Sequence, residues 1–576
     1  MSIVLGINAN HADSSACLII NGKLEAGFEE ERIIRKKHFS GFPINSIRKC
    51  LDQAGINEND VTDIAFNTNP ISNLLPKSIF FLKNLFKNKD ITIKRIVKKI
   101  NQKKTLLNNF NINTNVKFHN IEHHIAHIAS AYYPSKFNDA VGLSIDGSGD
   151  FVSVAISKCK KNKIKIIKKY FFPNSLGIFY HAMTQFMGFN NYGDEYKIMG
   201  MAAYGNPKYF DLLKNNLFIN QNNSFKLNLN YFNHQKSNFR YIVSDEMIID
   251  NIFNENLIKL FNLKSFQIKS DESFLKDLAA SVQKVYEFFF EKILTDISKM
   301  KYSENLVYAG GCGLNSSANR IITNNEKYFK NIFIPYAPGD NGGALGAALV
   351  VASINNKTIQ NTENPYIGQC YKDSEIKAIL KSKLHGSNLQ YRYFSEKRDV
   401  IELAAEMISK SRVIGWFQNK MEFGPRALGN RSILADPRNP NMRNIINSKI
   451  KRRESFRPFA PSIMEEYQSD WFNTNYSSPY MSTIASVKKD KINLIPAVTH
   501  VDETARYQSV NKLNNDKFYE LIKTFYKITG VPILLNTSFN ENEPIVMRPD
   551  EALDCLIRTD MDALFIGNYM VTKSTS

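Results

Sequence analysis

Ile3-Val4-Leu5-Gly6-Ile7 is a short apolar strand, Ser14 to Ile20 a second, and Asn21-Gly22 a hairpin turn; Leu24 to Phe28 begins a third strand, followed by Glu29-Glu30-Glu31-Arg32. The same order recurs downstream. Ala140 to Ile145 is apolar, Asp146-Gly147-Ser148-Gly149-Asp150 is a polar turn, and Phe151 to Ile156 is a strand that enters a lysine-rich turn. Two units of strand, polar turn and strand, each opening an α/β stretch, imply a duplicated core.

Between the two units lies His123-His124-Ile125-Ala126-His127, running on through Ile128-Ala129-Ser130-Ala131-Tyr132. Unbroken apolar and small residues after His123 predict a helix. His123 and His127 then stand one turn apart on one face, where two imidazoles converge on a single ion, and His124 points about a quarter-turn away. Spacing alone leaves open that one or two of these rings are core histidines with satisfied hydrogen bonds, because no H-E-x-x-H motif accompanies them.

Asp277 to Met300 has helical apolar spacing, and Leu306-Val307-Tyr308-Ala309 is a buried strand ending in Gly310-Gly311-Cys312-Gly313-Leu314-Asn315. After the strand Ile332-Phe333-Ile334, a second glycine loop, Pro338-Gly339-Asp340-Asn341-Gly342-Gly343, enters a small-residue helix. Such loops either let backbone N–H groups approach phosphate or serve close packing. Duplicated α/β halves with a nucleotide in the cleft describe actin-like ATPases and sugar kinases of the Hsp70 type, which is an analogy of fold.

The 576 residues suffice for two or more domains. Hydrophobic content of 43% and charged content of 22% suit a soluble globular chain, and no apolar run has the length of a membrane span. Met1-Ser2-Ile3-Val4-Leu5-Gly6 enters a strand without a basic leader or cleavage site, so a cytoplasmic location is expected. The six cysteines form no C-x-x-C pair and are expected as thiols. The formal charge of +19 favours acidic partners, or reflects a Lys/Asn/Ile-rich bias. Part of it is local, at Lys158 to Lys169 and from Lys77 to Lys104, which includes Lys94-Arg95-Ile96-Val97-Lys98-Lys99. The latter interleaves Ile79, Phe80, Phe81, Leu82, Leu85 and Phe86 with lysines. That stretch is either a solvated helical insertion or a basic amphipathic surface for anionic lipid or a protein partner.

The polar stretch Asn355 to Asn364 marks a linker and divides the chain into domains 1–360 and 361–576. The second opens with a helix over Ile401 to Ser409 and a strand over Val413 to Phe417. It carries Glu422-Phe423-Gly424-Pro425-Arg426-Ala427-Leu428-Gly429-Asn430-Arg431-Ser432, Lys451-Arg452-Arg453-Glu454-Ser455-Phe456-Arg457-Pro458-Phe459-Ala460, His500-Val501-Asp502-Glu503-Thr504-Ala505-Arg506 and Leu534-Leu535-Asn536-Thr537-Ser538-Phe539-Asn540. These arginines sit among Phe, Pro and Ala rather than in lysine runs, which points to a buried site for phosphate or carboxylate.

On these phrases the sequence resembles the O-carbamoyltransferases of the nodulation-protein, cephamycin and aminoglycoside type. The match adds Gly6-Ile7-Asn8, His11, Ser14-Ser15-Ala16 and Gly193-Asp194-Glu195-Tyr196-Lys197-Ile198-Met199-Gly200, and spans nearly the whole chain in order. Ala12-Asp13, where Asp-Ala is commoner, and Cys312, where Val is commoner, depart from the pattern. The resemblance implies an actin-like carbamoyl-transfer domain followed by a C-terminal α/β domain that forms carbamoyl adenylate. It implies carbamoyl phosphate and ATP as substrates, with Mg2+ on the ATP, and a divalent metal, Fe(II) in the family, on His123, His127, Asp146 and Asp340. It suggests a nucleotide near Lys197, Gly310, Gly311, Asn315, Gly342 and Gly343. Carbamoyl phosphate is assigned to Arg426, Arg431, Lys451, Arg453, Arg457, Arg506, Asn536 and Ser538, with Arg426, Lys451 and Arg457 catalytic as well.

Adenylation gives the poorly electrophilic carbamate a good leaving group, and the arginines would hold the charges as the adenylate forms. His11 follows the first strand where such folds open their cleft, and is expected as general base toward an acceptor hydroxyl on a sugar or natural product. A homodimer is an open expectation, and nucleic acid is not the expected partner. Two competing readings are a tRNA threonylcarbamoyl-adenylate enzyme on the same two folds and a silent nucleotide-binding scaffold. Formation of carbamoyl-AMP without threonine separates the first, and consumption of carbamoyl phosphate separates the second.

Overall fold

The repeat in the sequence is a repeat of strand topology. Strand β1 (Ile3–Asn8) pairs antiparallel with β2 (Ser15–Ile20), and β2 antiparallel with β3 (Lys23–Glu29); on its other side β1 pairs parallel with β4 (Asp63–Phe66), and β4 with β5 (Lys117–Asn120). The second sheet repeats each step. Strand β6 (Asp139–Gly149) has antiparallel β7 (Val152–Lys160) and then β8 (Lys163–Phe171) on one side, with parallel β9 (Asn305–Ala309) and then β10 (Asn331–Phe333) on the other. Both sheets run third, second, first, fourth, fifth. This is the duplicated α/β arrangement of an actin-like domain.

The structure, a computed structural model, describes residues 1–83, 101–221, 224–236, 240–243, 246–262, 271–355, 358–360, 362–384, 388–454 and 456–573. The basic run Lys94 to Lys99, with Leu85, Phe86 and Ser455, lies outside them. No helix among the described residues is long and apolar enough to cross a membrane. All six cysteines are free thiols.

The chain forms two units: Met1–Glu31 with His38–Glu363, and Arg32–Lys37 with Asn364–Ser576. A single cut after residue 360 does not foresee the short segment Arg32–Lys37. Its membership has a physical cause. The buried Arg32 guanidinium donates to the carbonyls of Glu422 (2.6 Å) and Gly424, while Arg35 donates to Ile545 (2.8 Å) and Pro544 (2.5 Å) and pairs with Glu551 at 3.3 Å.

In the first unit, helix α1 (His123–Ser135) packs against α3 (Gly342–Ile354), and α2 (Leu176–Phe186) packs on β6 at Asp146 and Gly147. The α1–α3 contact is made by backbone. A methyl on Gly346 would lie 1.8 Å from the carbonyl oxygen of Ala126, and one on Gly6 would lie 2.0 Å from that of Ala344. Small residues here are a steric requirement.

The second unit is built on one mixed sheet. Its strands are β11 (Leu389–Tyr393), β12 (Ile414–Phe417), β13 (Arg431–Ala435), β14 (Ala460–Met464), β15 (Gln508–Val510), β16 (Ile533–Ser538), β17 (Ala563–Ile566) and β18 (Tyr569–Lys573). They lie in the order β11-β18-β17-β12-β13-β16-β14-β15. Helices α4 (Lys397–Ser409) and α5 (Asp516–Thr529) pack together, their apolar faces joining a core that includes Trp416, Leu521 and Phe525.

Gly346→Ala tests the backbone contact. It forces α1 and α3 apart and should destabilise the first unit by about 1–3 kcal/mol or more, read as a lowered denaturant midpoint.

Candidate metal centre and anion site

The metal centre is assembled from one helix and two turns. Helix α1 begins at His123, and its first N–H donates to Asp150 Oδ2 at 3.0 Å. The same carboxylate accepts Thr68 Oγ1 at 2.7 Å and the Asn69 N–H at 2.7 Å. A negative group is thereby fixed at the positive end of the helix. The Asp150 carbonyl accepts Asn73 Nδ2 at 3.0 Å, and Lys169 holds Asn73 (2.9 Å) and Glu122 (2.7 Å). The β6–β7 ladder is irregular between Ile145 and Gly149, and this break presents Asp146. Asp340 lies in the loop that enters α3.

The side chains converge. His127 Nε2 is 2.9 Å from His123 Nε2, and His123 Nε2 is 3.3 Å from Asp146 Oδ2. Asp340 Oδ1 is 3.4 Å from His123 Nε2 and 3.5 Å from His127 Nε2. Ligands held about 2.0–2.2 Å from one ion are spaced by about 2.8–3.6 Å, so these separations match the edges of a coordination shell of two imidazoles and two carboxylates. Both histidines are buried, and each leaves Nδ1 without a hydrogen bond. Burial alone would lower the His123 pKa, but the Asp146 hydrogen bond and the Asp340 and Asp150 charges raise it above the usual value. Against burial, His123 holds Asp146 well below the carboxylate range. The residues fit a divalent metal.

His124 is different. Its Nδ1 meets Ser144 Oγ at 2.8 Å and its Nε2 meets the Val152 carbonyl at 2.9 Å, while burial pushes it down to about 3. It is the satisfied core histidine that the spacing left open. The His11 ring stacks on His123 at 5.0 Å between centroids, and His11 Nδ1 is 4.0 Å from Asp340 Oδ2. The residue expected as general base thus borders the metal set.

The glycine loops are closely packed. Gly310 N–H donates to the Pro338 carbonyl at 2.8 Å and Gly311 N–H to Asp146 Oδ1 at 3.1 Å. Gly342 N–H donates to Gly339 at 3.1 Å and Gly343 N–H to Asp340 at 2.9 Å. A methyl on Gly342 would lie 1.9 Å from the Ala337 oxygen, and one on Gly343 would lie 2.4 Å from Asn67 Nδ2. These four amides are engaged within the fold and help to seat the loops that carry Asp146 and Asp340. Asn315 caps the following helix through Ala318 N–H (3.0 Å) and bonds Gln283, and Lys197 pairs with Asp194 at 2.8 Å.

In the second unit the predicted anion ligands separate into two kinds. Arg431 is fully buried and donates to the carbonyls of Gln418 (2.6 Å), Asn430 (2.9 Å), Gln369 (3.0 Å) and Asn419 (3.2 Å), with its guanidinium 3.7 Å from the centre of the Phe417 ring. Lys451 Nζ reaches the Asn540 side chain (2.6 Å), the carbonyls of Ser538 (2.5 Å) and Asn540 (2.8 Å), and Ser538 Oγ (3.3 Å). Burial lowers both cations, Arg431 to about 10. Most of their donors are engaged within the protein, with Arg431 Nε left without a hydrogen bond. The Asn536 amide nitrogen is likewise engaged, by Ser462 Oγ (3.0 Å) and Gln508 Oε1 (3.1 Å), while its Oδ1 is buried without a hydrogen bond.

The second kind is a cluster of like charges. Burial, then Arg426 and Arg453, hold the Arg506 guanidinium well below the ordinary arginine value. Arg453 Nε bonds Asn447 Oδ1 at 2.8 Å, and Arg457 pairs with Glu454 at 2.6 Å. His500, which the sequence reading quoted without a role, stands by Arg506; burial lowers it to about 4. Buried Glu422 shapes the loop that carries Arg426, accepting the N–H groups of Leu428 (2.7 Å) and Arg431 (3.2 Å). Neither the Glu422 scaffold nor the Asp150 scaffold was expected; the only sequence signal was each carboxylate's place inside a quoted motif.

The chain thus joins a duplicated α/β unit with a His/Asp set to a second α/β unit with an arginine cluster. Family models of the carbamoyltransferase N-terminus and C-terminus match residues 3–349 and 405–573. The chain belongs to the carbamoyltransferase family and is a carbamoyltransferase. It is 36% identical to an uncharacterized protein of Synechocystis, with 100% of this chain and 97% of that one covered. It is 33% identical to the nodulation protein NolNO of Sinorhizobium fredii, with 98% and 79% covered. Among solved structures, full-length HypF in a phosphate- and nucleotide-bound form aligns with a TM-score of 0.31 at 12% identity, over 62% of this chain and 56% of that one.

Two pairs of substitutions test these assignments. His127→Ala should lose a metal ion that the wild type holds, by elemental analysis, whereas His124→Ala should keep it and lose about 1–3 kcal/mol of stability by stranding Ser144 and the Val152 carbonyl. Arg431→Met should cost about 3–5 kcal/mol by leaving four carbonyls unsatisfied. Arg506→Ala, relieved of two like charges, should leave the ligand-free melting temperature unchanged or raised.

Proposed function

We propose that this carbamoyltransferase makes carbamoyl-AMP from carbamoyl phosphate and ATP in its second unit and passes the carbamoyl group to a hydroxyl in its first. The observation that carries this reading is the gathering of Arg426 and Arg453 about the buried Arg506, whose charge both neighbours disfavour and a bound anion would favour. Carbamoyl phosphate and ATP are such anions. Loss of phosphate to water yields carbamate; a carbamate oxygen then bonds to the ATP α-phosphorus as pyrophosphate leaves. The arginines bind and neutralise the oxyanions as charge builds, and Arg431 and Lys451 keep their loops in place.

In the transfer step the acceptor oxygen bonds to the carbamoyl carbon, the bond from that carbon to the AMP oxygen breaks, and AMP leaves with the electron pair. His11 takes the hydroxyl proton. A divalent ion on His123, His127, Asp146 and Asp340, proposed as Fe(II), supplies Lewis acidity toward the carbamoyl oxygen. The acceptor is a hydroxyl of a glycan or natural product, and Mg2+ accompanies the ATP.

Pyrophosphate release with carbamoyl phosphate and ATP, measured beside carbamoylation of a panel of glycan acceptors, separates the steps. Arg506→Ala should slow pyrophosphate release by about a hundredfold or more. His11→Ala should spare it and slow carbamoylation by about 10²–10⁴-fold. Absence of pyrophosphate release from the wild type overturns the adenylate reading, and loss of release in a normally melting His11→Ala protein overturns the role given to His11.

A further inference from the structure

We propose that Asn8 is the positioning residue of the loop that carries His11, acting through its side-chain amide. The catalytic consequence rests on the reading of His11 as the base in the transfer step. The loop joins β1 to β2 and turns tightly: Asn10 and Asp13 stand at φ of 57° and 54°, in the left-handed region that residues other than glycine rarely adopt. Such a path persists where the surroundings impose it. At the edges of the loop the backbone does so, through Asn10 N–H on the Gly41 carbonyl (3.0 Å) and Ser14 N–H on that of Phe39 (2.9 Å). Gln102, buried at the start of the helix Gln102–Asn109, donates to the Ala9 carbonyl at 3.0 Å.

The two residues that follow His11 are held by a side chain. Asn8, the fully buried last residue of β1, donates through Nδ2 to the carbonyls of Ala12 (3.1 Å) and Asp13 (2.9 Å), so both amide protons are used. A neighbour fixes the orientation of that amide. Asn67 Nδ2 donates to Asn8 Oδ1 at 2.9 Å. Rotated by half a turn, Asn8 would set its oxygen against two carbonyl oxygens and its nitrogen against another donor. Asn67 follows β4 and is packed by the start of α3, since a methyl on Gly343 would lie 2.4 Å from Asn67 Nδ2. On the far side of the loop, Ser15 Oγ donates to the carbonyl of Asn341 at 2.8 Å, one residue from Asp340. The loop of His11 and the loop of Asp340 are thus tied together on both sides of His11. The outcome is the placement of His11 Nδ1 4.0 Å from Asp340 Oδ2, with its ring 5.0 Å from that of His123. Without the Asn8 donors, two carbonyls lose their partners, the left-handed turn loses its hold, and His11 moves with it.

Crystal structures and a double-mutant cycle test this. In Asn8→Ala the chain from Ala9 to Asp13 should leave its path and carry the His11 ring about 1 Å or more from its place on His123, a misplacement that slows carbamoylation by about a hundredfold. The fold should be kept and pyrophosphate release spared. Asn8→Ala added to His11→Ala should cost no further rate, since Asn8 acts through His11, whereas a merely structural role would add its own loss. Should Asn8→Ala fold poorly, Asn67→Ala, which removes the bond that orients the Asn8 amide, should move the same loop and slow the same step. An unmoved His11 ring in the folded variant overturns the proposal, as does a double variant slower than His11→Ala by the full factor of Asn8→Ala. Wild-type carbamoylation by His11→Ala overturns His11 as the base; the position of the His11 ring in Asn8→Ala still decides whether Asn8 places it.

Discussion

Helix α3 meets its neighbours through backbone, and the metal centre depends on that contact. Gly346 against the Ala126 carbonyl and Gly6 against the Ala344 carbonyl bring α3 within reach that any side chain would deny. The spacing sets where the loop before α3 can stand, and Asp340 is on that loop, 3.5 Å from His127. Apolar close packing thus fixes a polar distance. The helix N-terminus is set from the other direction, by Asp150 on the His123 N–H and by a turn so tight that a methyl on Gly149 would lie 2.0 Å from the His123 ring. Convergence of four ligands needs both constraints, one steric and one hydrogen-bonded.

The two candidate sites hold their charges in opposite ways. In the first unit carboxylates and imidazoles face each other, and each makes the other's charged form easier to keep. In the second, Arg426, Arg453 and Arg506 repel. Like charges so placed are eased by an anion, the arrangement expected of a binding site. Arg431 shows the contrast: an arginine just as buried, with four carbonyls around it, ties loops together.

This contrast also marks how far the chain can be read without coordinates. The duplication was legible because polar turns at Asp13 and at Asp146 interrupt apolar strands in the same order. The i, i+4 spacing of His123 and His127 gave a shared helix face. Asp146 and Asp340 came only from resemblance, since nothing local to either residue tells that strands far apart in sequence end together. The hydrogen bonds of Arg431 and Lys451 to main-chain carbonyls were not legible, because sequence shows a cation's type and not where its donors go. The packing of Gly342 and Gly343 was not legible either: a glycine that lets phosphate approach and one that lets a loop pack look the same in sequence.

The segment Arg32–Lys37 has a consequence for the history of the chain. Arg32 fills carbonyls of Glu422 and Gly424, and Arg35 those of Pro544 and Ile545, so the interior of the second unit is partly encoded upstream of most of the first. Fission of the gene near Glu363 would strand these acceptors in the downstream product. Recombination that exchanges the second unit for a foreign one has to carry this short upstream segment with it, or find another cation to take its place.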